Sequence, residues 1–200
     1  MNPVLLQAEQ LGFSIAGQPL LKSLDFAMRP GLSLVRGGDG RGKTTLLRLL
    51  AGELQPGSGR LHRQAQGLSF ERPADEAHDP VPARAWLAAR HEVFAASWQA
   101  ALADALVADF GLAEHLDKPM HMLSTGSRRK VGLVAAAASG AQLTLLHTPF
   151  AALDARSSRR LVALLAEAAT DTRRAWVLAD YALPAALADL PLAALVDLGD

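Results

Sequence analysis

Nine consecutive residues, Gly37-Gly38-Asp39-Gly40-Arg41-Gly42-Lys43-Thr44-Thr45, carry the strongest chemical signal in the chain. They satisfy the pattern Gly-x-x-x-x-Gly-Lys-Ser/Thr in full. Glycines at 37, 40 and 42 let the backbone fold tightly around an anion, with its N–H groups pointing inward. A helix beginning at Lys43 adds the partial positive charge of its N-terminus. The Lys43 ammonium can then reach β- and γ-phosphates, and the Thr44 hydroxyl can ligate Mg2+. These are the parts of a phosphate-binding loop, so residues 37 to 45 are expected to hold a nucleotide.

Hydrolysis asks for more. The apolar run Leu143-Thr144-Leu145-Leu146 should deliver an acidic residue to the metal, yet it runs into His147-Thr148-Pro149. A neutral imidazole is a poor partner for a hard, oxygen-preferring ion. Threonine has no basicity near neutral pH with which to activate water. A further segment, Leu123-Ser124-Thr125-Gly126-Ser127-Arg128-Arg129-Lys130-Val131, places a serine and a glycine before a helix. Taken alone it reads equally as an ordinary serine cap or as a second anion-binding helix start.

The surrounding pattern supplies the elements that would hold these residues. Residues 5–14 and 20–28 read as strands separated by a Gly-Gln-Pro turn, and 32–35 as a compact strand feeding the glycine loop. Leucines at 46, 47, 49, 50 and 54 make 45–54 a buried helix ending before Pro56-Gly57. Short strands follow at 61–63 and 67–70. Residues 73–82 are rich in proline and acid and read as a linker. Residues 85–116 have helical propensity with a break expected at Phe110-Gly111. Within them Trp86, Phe94 and Trp98 either pack a small helical unit onto the sheet or form a docking surface. Helix and strand then alternate: helices at 126–138, 154–169 and 184–187, strands at 142–146, 175–178 and 194–198. Parallel crossovers of this kind imply a sheet covered on both faces.

A chain of 200 residues with half its residues hydrophobic can bury a real core. The formal net charge is zero at pH 7, so no global field draws it to nucleic acid. There is no cysteine, which excludes disulfides and thiolate chemistry. The first residues lack a basic region ahead of their apolar stretch, and no secretory signal is expected. The histidines at 62, 78, 91, 115 and 121 show no metal-ligand spacing.

In this order the motifs resemble the ATP-binding subunit of an ABC (ATP-binding cassette) transporter over essentially the whole chain. The likeness is greatest to the small, stand-alone ATPase of the haem-exporter type used in cytochrome c maturation. Residues 123–131 are similar to the family's signature, usually Leu-Ser-Gly-Gly-Gln, and Asp154 falls at its D-loop. The resemblance implies an α/β P-loop NTPase fold with a mostly parallel core sheet, an N-terminal antiparallel β part and a small helical subdomain. The core would be 1–71 with 123–200, and the subdomain 72–122 would touch the membrane partner. It implies ATP and Mg2+ as cofactors, bound by Gly37, Gly38, Asp39, Gly40, Arg41, Gly42, Lys43, Thr44 and Thr45, with Thr44 on the metal. Two such subunits, as a homodimer or a heterodimer, would close head to tail, so that Ser124 and Gly126 clasp the γ-phosphate held by the opposite subunit. Asp154 would report across that interface. The partner would be a membrane permease, and the location cytoplasmic, peripheral on the inner face of the membrane.

Several positions depart from the family's pattern. The Walker B acidic pair is His147 and Thr148, the switch histidine is Tyr181, and the Q-loop glutamine is Glu71. The signature's first glycine is Thr125 and its last residue is Ser127. The adenine-stacking aromatic falls near Ile15, with Phe13 the nearest ring. Glu71 is a surrogate candidate for Mg2+ ligand or base, and Asp180 for a carboxylate near the γ-phosphate. The losses fall on the hydrolysis machinery while the phosphate loop is intact, which fits an ATP-binding subunit with weak or absent turnover. The alternative is a nucleotide-dependent regulatory protein of the same fold without a permease. A P-loop kinase or GTPase would need a guanine motif or an acceptor lid, and a DNA-repair relative a long insertion; the chain shows none of these.

Overall fold

The computed structural model describes residues 2–71 and 76–199. Its centre is a parallel sheet of five strands in the order β5-β6-β7-β3-β8. These are β3 (Gly31–Arg36), β5 (Leu68–Glu71), β6 (Leu143–His147), β7 (Ala175–Asp180) and β8 (Leu192–Asp197). Every neighbouring pair runs parallel. The near-continuous burial of β3, β6 and β7 follows, because such a sheet is covered on both faces. A second, antiparallel sheet in the order β2-β1-β4 joins β1 (Leu6–Ile15), β2 (Gln18–Met28) and β4 (Ser58–Arg63).

One helix fills the space between the sheets. The left-handed Gly42 (φ 94°) opens α1 (Lys43–Ala51), and Gly52 (φ 80°) closes it. Leu46, Leu47, Leu49 and Leu50 are all buried, together with Leu6, Leu11 and Met28 of the antiparallel sheet and Leu143, Leu145 and Val177 of the parallel one. Covered on two sides, α1 needs leucine around most of its circumference, which is the pattern the sequence carries. On the other face of the parallel sheet lie α4 (Thr125–Ala138) and α5 (Ala155–Ala169), burying Leu32, Leu34, Leu146, Trp176 and Leu178.

The 85–116 stretch is not one helix broken once. It forms α2 (Ala83–Val93) and α3 (Ala100–Asp109), with an unforeseen break at residues 94–99. The reason is tertiary. The Ser97 hydroxyl donates to the Ser139 carbonyl at 2.7 Å and the Gln99 amide donates to Ala138 at 2.8 Å. The end of α4 thus pulls the chain out of its helix against the propensity of the alanines. The second break falls where expected, with α3 ending at Asp109 before Gly111. Phe94 is buried, and Trp86 and Trp98 pack half-buried against the main core, as the packing reading required. The linker expected at 73–82 lies partly outside the described residues. Among the described residues no helix is long and apolar enough to cross a membrane.

Candidate nucleotide site

The glycine loop sits at the carboxyl end of β3, the place where open parallel sheets receive ligands. Lys43 is 8% exposed and its ammonium donates to the carbonyls of Gly37 at 2.7 Å and Gly38 at 2.8 Å. An ammonium has three protons, so one remains for a phosphate. Gly37 is pressed by Leu198 and Gly199: a side chain there would come within 3.1 Å of the Leu198 Cβ. The Gly38 amide is tied to Gly199 at 3.0 Å. The start of α1 has no side-chain cap and no acid in its first turn, which leaves its orphan N–H groups for an anion. Asp39, Arg41 and Thr44 are exposed, and Thr45 is half-buried.

Thr44 Oγ1 lies 2.8 Å from His147 Nε2. Burial pushes the His147 imidazole below its ordinary range; the charges of Arg129 and Lys43 add to this and Asp180 opposes it. The ring is therefore neutral near pH 7. Thr148 follows in a left-handed conformation (φ 43°), which its amide, donating to Ala179 at 2.8 Å, helps to hold.

Arg129 is the buried charge beside the site that sequence reasoning did not single out. It is 4% exposed, and its guanidinium donates to the carbonyls of His147 at 2.8 Å and Thr148 at 2.6 Å. A cation thus backs the end of β6, where the resemblance leads one to expect an acidic pair. An arginine two residues into a basic run reads from sequence as surface, and only packing buries it.

The two surrogate carboxylates fare differently. Asp180 ends β7 half-buried, close enough to act on His147, with Oδ1 accepting from the Tyr181 amide at 2.8 Å. Tyr181 itself is exposed. Glu71 is not brought to Thr44. It pairs in register with Leu146, so it faces α4 and the core opposite α1, where Leu146 is buried. There it lines a cavity of about 150 Å³ with Trp86, Arg90 and Arg128, and abuts Gly132, into which no phosphate-loop residue projects. Alternation along the strand decides this placement, which does not bring Glu71, the expected surrogate metal ligand or base, to the phosphate loop.

Neither Glu71 oxygen has a hydrogen-bond partner among the described residues. Burial raises its carboxyl from 4.5 to about 7, against the lowering effect of Arg129. Between these pH values the folded state keeps a proton the unfolded chain has released, so stability falls as pH rises through the window. The loss amounts to about 3 kcal/mol by pH 7. Glu71→Gln should remove that slope in urea unfolding measured at pH 5 and pH 8. Equal slopes in the variant and the parent would show that the carboxyl is not protonated in the fold.

Ser124 caps α4, accepting from the Ser127 amide at 3.1 Å. Gly126 is held by packing: a Cβ there would sit 2.4 Å from the Ala152 carbonyl. Asp154 caps α5 through Ser157 at 2.8 Å and pairs with Lys130 at 2.5 Å, which holds its carboxyl well below the usual range. No hydrogen bond among the described residues joins 123–127 to 37–45. Phe13 is half-buried in the core beside α1, while Ile15 is exposed.

For Mg2+ the protein offers the Thr44 hydroxyl, with an imidazole on it where a carboxylate is wanted. A nucleotide-bound Mg2+ takes one or two carboxylates beside the phosphates and water, and among the described residues none is hydrogen-bonded to Thr44. This donor set does not fit a hydrolytic Mg2+ centre.

Fold and loop together define a phosphate-loop nucleotide-binding protein. The profile of the ABC transporter family matches residues 21–151. The chain belongs to that family, as an ATP-binding subunit. It is 37% identical over 178 residues to the cytochrome c biogenesis ATP-binding export protein CcmA of Pseudomonas syringae pv. syringae, covering 81% of each chain. It is 32% identical to the zinc import ATP-binding protein ZnuC of Halorhodospira halophila, covering 80% of this chain and 62% of that one. The chain thus spans less than two-thirds of ZnuC but four-fifths of that CcmA. Among solved structures, an ATP-binding subunit of an ABC transporter superposes with a TM-score of 0.76 at 20% identity, covering 90% of this chain and 80% of that one. The cbiO1 protein of Clostridium perfringens, part of the transporter complex cbiONQ, gives 0.65 at 20% identity, covering 91% and 80%. These likenesses bear out the ABC-type α/β fold. Members of the family bind ATP and typically Mg2+, work with membrane permeases and dimerise.

Proposed function

We propose that this chain binds ATP at residues 37–45 and holds it with little or no turnover, acting as a nucleotide-gated subunit of a haem-exporter-type transporter. The carrying observation is the contrast within one site. Lys43 and the glycine loop are fully formed, while β6 ends in His147 and Thr148 with Arg129 behind them. The likeness to CcmA proteins supports the haem-export branch. Residues 72–122 would form the helical subdomain that meets a permease on the inner face of the membrane. Ser124 and Gly126 would face the nucleotide of a second subunit, its own copy or a hydrolysing partner. The working arrangement of the family favours this over a permease-free regulator.

Steady-state hydrolysis with Mg2+ tests the reading, beside Lys43→Ala as a control for contaminating ATPase. Loss of a general base lowers rates about a hundredfold or more, and here the metal-ordering carboxylate is gone as well. Turnover is expected not to exceed that of the variant. Turnover that disappears in the variant would overturn the inactive assignment and direct attention to Asp180.

A further inference from the structure

We infer that the site takes the nucleotide as its metal-free anion, with Lys43, Arg129 and the start of α1 supplying the positive charge that a divalent ion would otherwise bring. The inference rests on the reading that residues 37–45 bind ATP. Three placements carry it. First, Thr44 Oγ1 is hydrogen-bonded at 2.8 Å to an imidazole, which carries zero or positive charge and never a negative one. Second, the next side chain, Thr148, adds only a hydroxyl, 3.5 Å from His147 Nδ1, and Glu71 is turned to the opposite sheet face. Third, two buried cations, Lys43 and Arg129, act at the His147 ring against the single carboxylate of Asp180, one of whose oxygens is already engaged by the Tyr181 amide. Cations thus outnumber carboxylates at this ring, an arrangement that suits a polyphosphate better than a hydrated divalent cation. The uncapped N–H groups of α1 act in the same direction.

The test is titration of the purified chain with the fluorescent analogue mant-ATP, in magnesium chloride and in EDTA at matched ionic strength. Affinities within about threefold of each other are expected. His147→Asp should make binding metal-dependent, with affinity about tenfold weaker in EDTA than in magnesium. A parent protein that itself loses tenfold in EDTA overturns the inference while leaving nucleotide binding in place. Loss of that dependence in Asp180→Asn would then name the carboxylate that holds the metal. Absence of binding in both buffers overturns the nucleotide-binding reading, and the inference falls with it.

Discussion

Replacing Lys43 by alanine is expected to weaken ATP binding about a hundredfold, or roughly 3 kcal/mol, in the same mant-ATP titration. The ammonium is buried and positioned by two loop carbonyls, so little ordering is left to complete when a phosphate arrives. If the site works without a divalent ion, Lys43 carries a larger share of the charge neutralisation than it would beside Mg2+. The substitution also leaves the Gly37 and Gly38 carbonyls without their donor, so a modest fall in melting temperature should accompany it. Lys43→Arg separates charge from shape. A planar guanidinium cannot reproduce a point charge seated between two carbonyls, and it should recover only part of the affinity. Full affinity in Lys43→Ala would mean that the nucleotide is held elsewhere.

Gly140→Ala should be strongly destabilising, costing about 3 kcal/mol or more and lowering the melting temperature by roughly 10 °C. Gly140 lies in the left-handed region (φ 64°), and an added Cβ would fall 2.0 Å from the Ser97 carbonyl oxygen. Backbone meets backbone there, and no side chain can swing away. The same contact region includes the Ser97–Ser139 and Gln99–Ala138 hydrogen bonds that dock the α2–α3 pair onto the end of α4. Gly17→Ala supplies the control, because Gly17 shares the left-handed backbone (φ 78°) but has nothing within 4 Å. It should cost only the conformational part, about 1 kcal/mol. Equal melting shifts in the two variants would show that the close approach at Ser97 carries no weight.

Much of the architecture was written locally. The glycine spacing before Lys43 and the all-round leucine pattern of 46–50 specify a strand, a loop and a two-sided helix. All three form, because their determinants are short-range: turn chemistry, periodicity and a cap. The helix spans Lys43–Ala51 rather than the expected 45–54, because the left-handed Gly52 stops it before Leu54. The α2–α3 break was not legible, since nothing in residues 94–99 forbids a helix. The bonds that end it come from residues 138 and 139.

The site divides along the same line. The sequence by itself determined that a phosphate loop is complete and that the acidic pair beyond Leu146 is replaced by His147 and Thr148. Residue identity is enough for that, because a missing carboxylate is missing in every conformation. Only the tertiary structure decided which remaining charges reach the vacated position. Strand alternation turned Glu71 to the far face, β7 delivered Asp180, and the packing of α4 buried Arg129 against the carbonyls of His147 and Thr148. Charge at a site is a sum over residues distant in sequence, and the fold alone sets the distances in that sum.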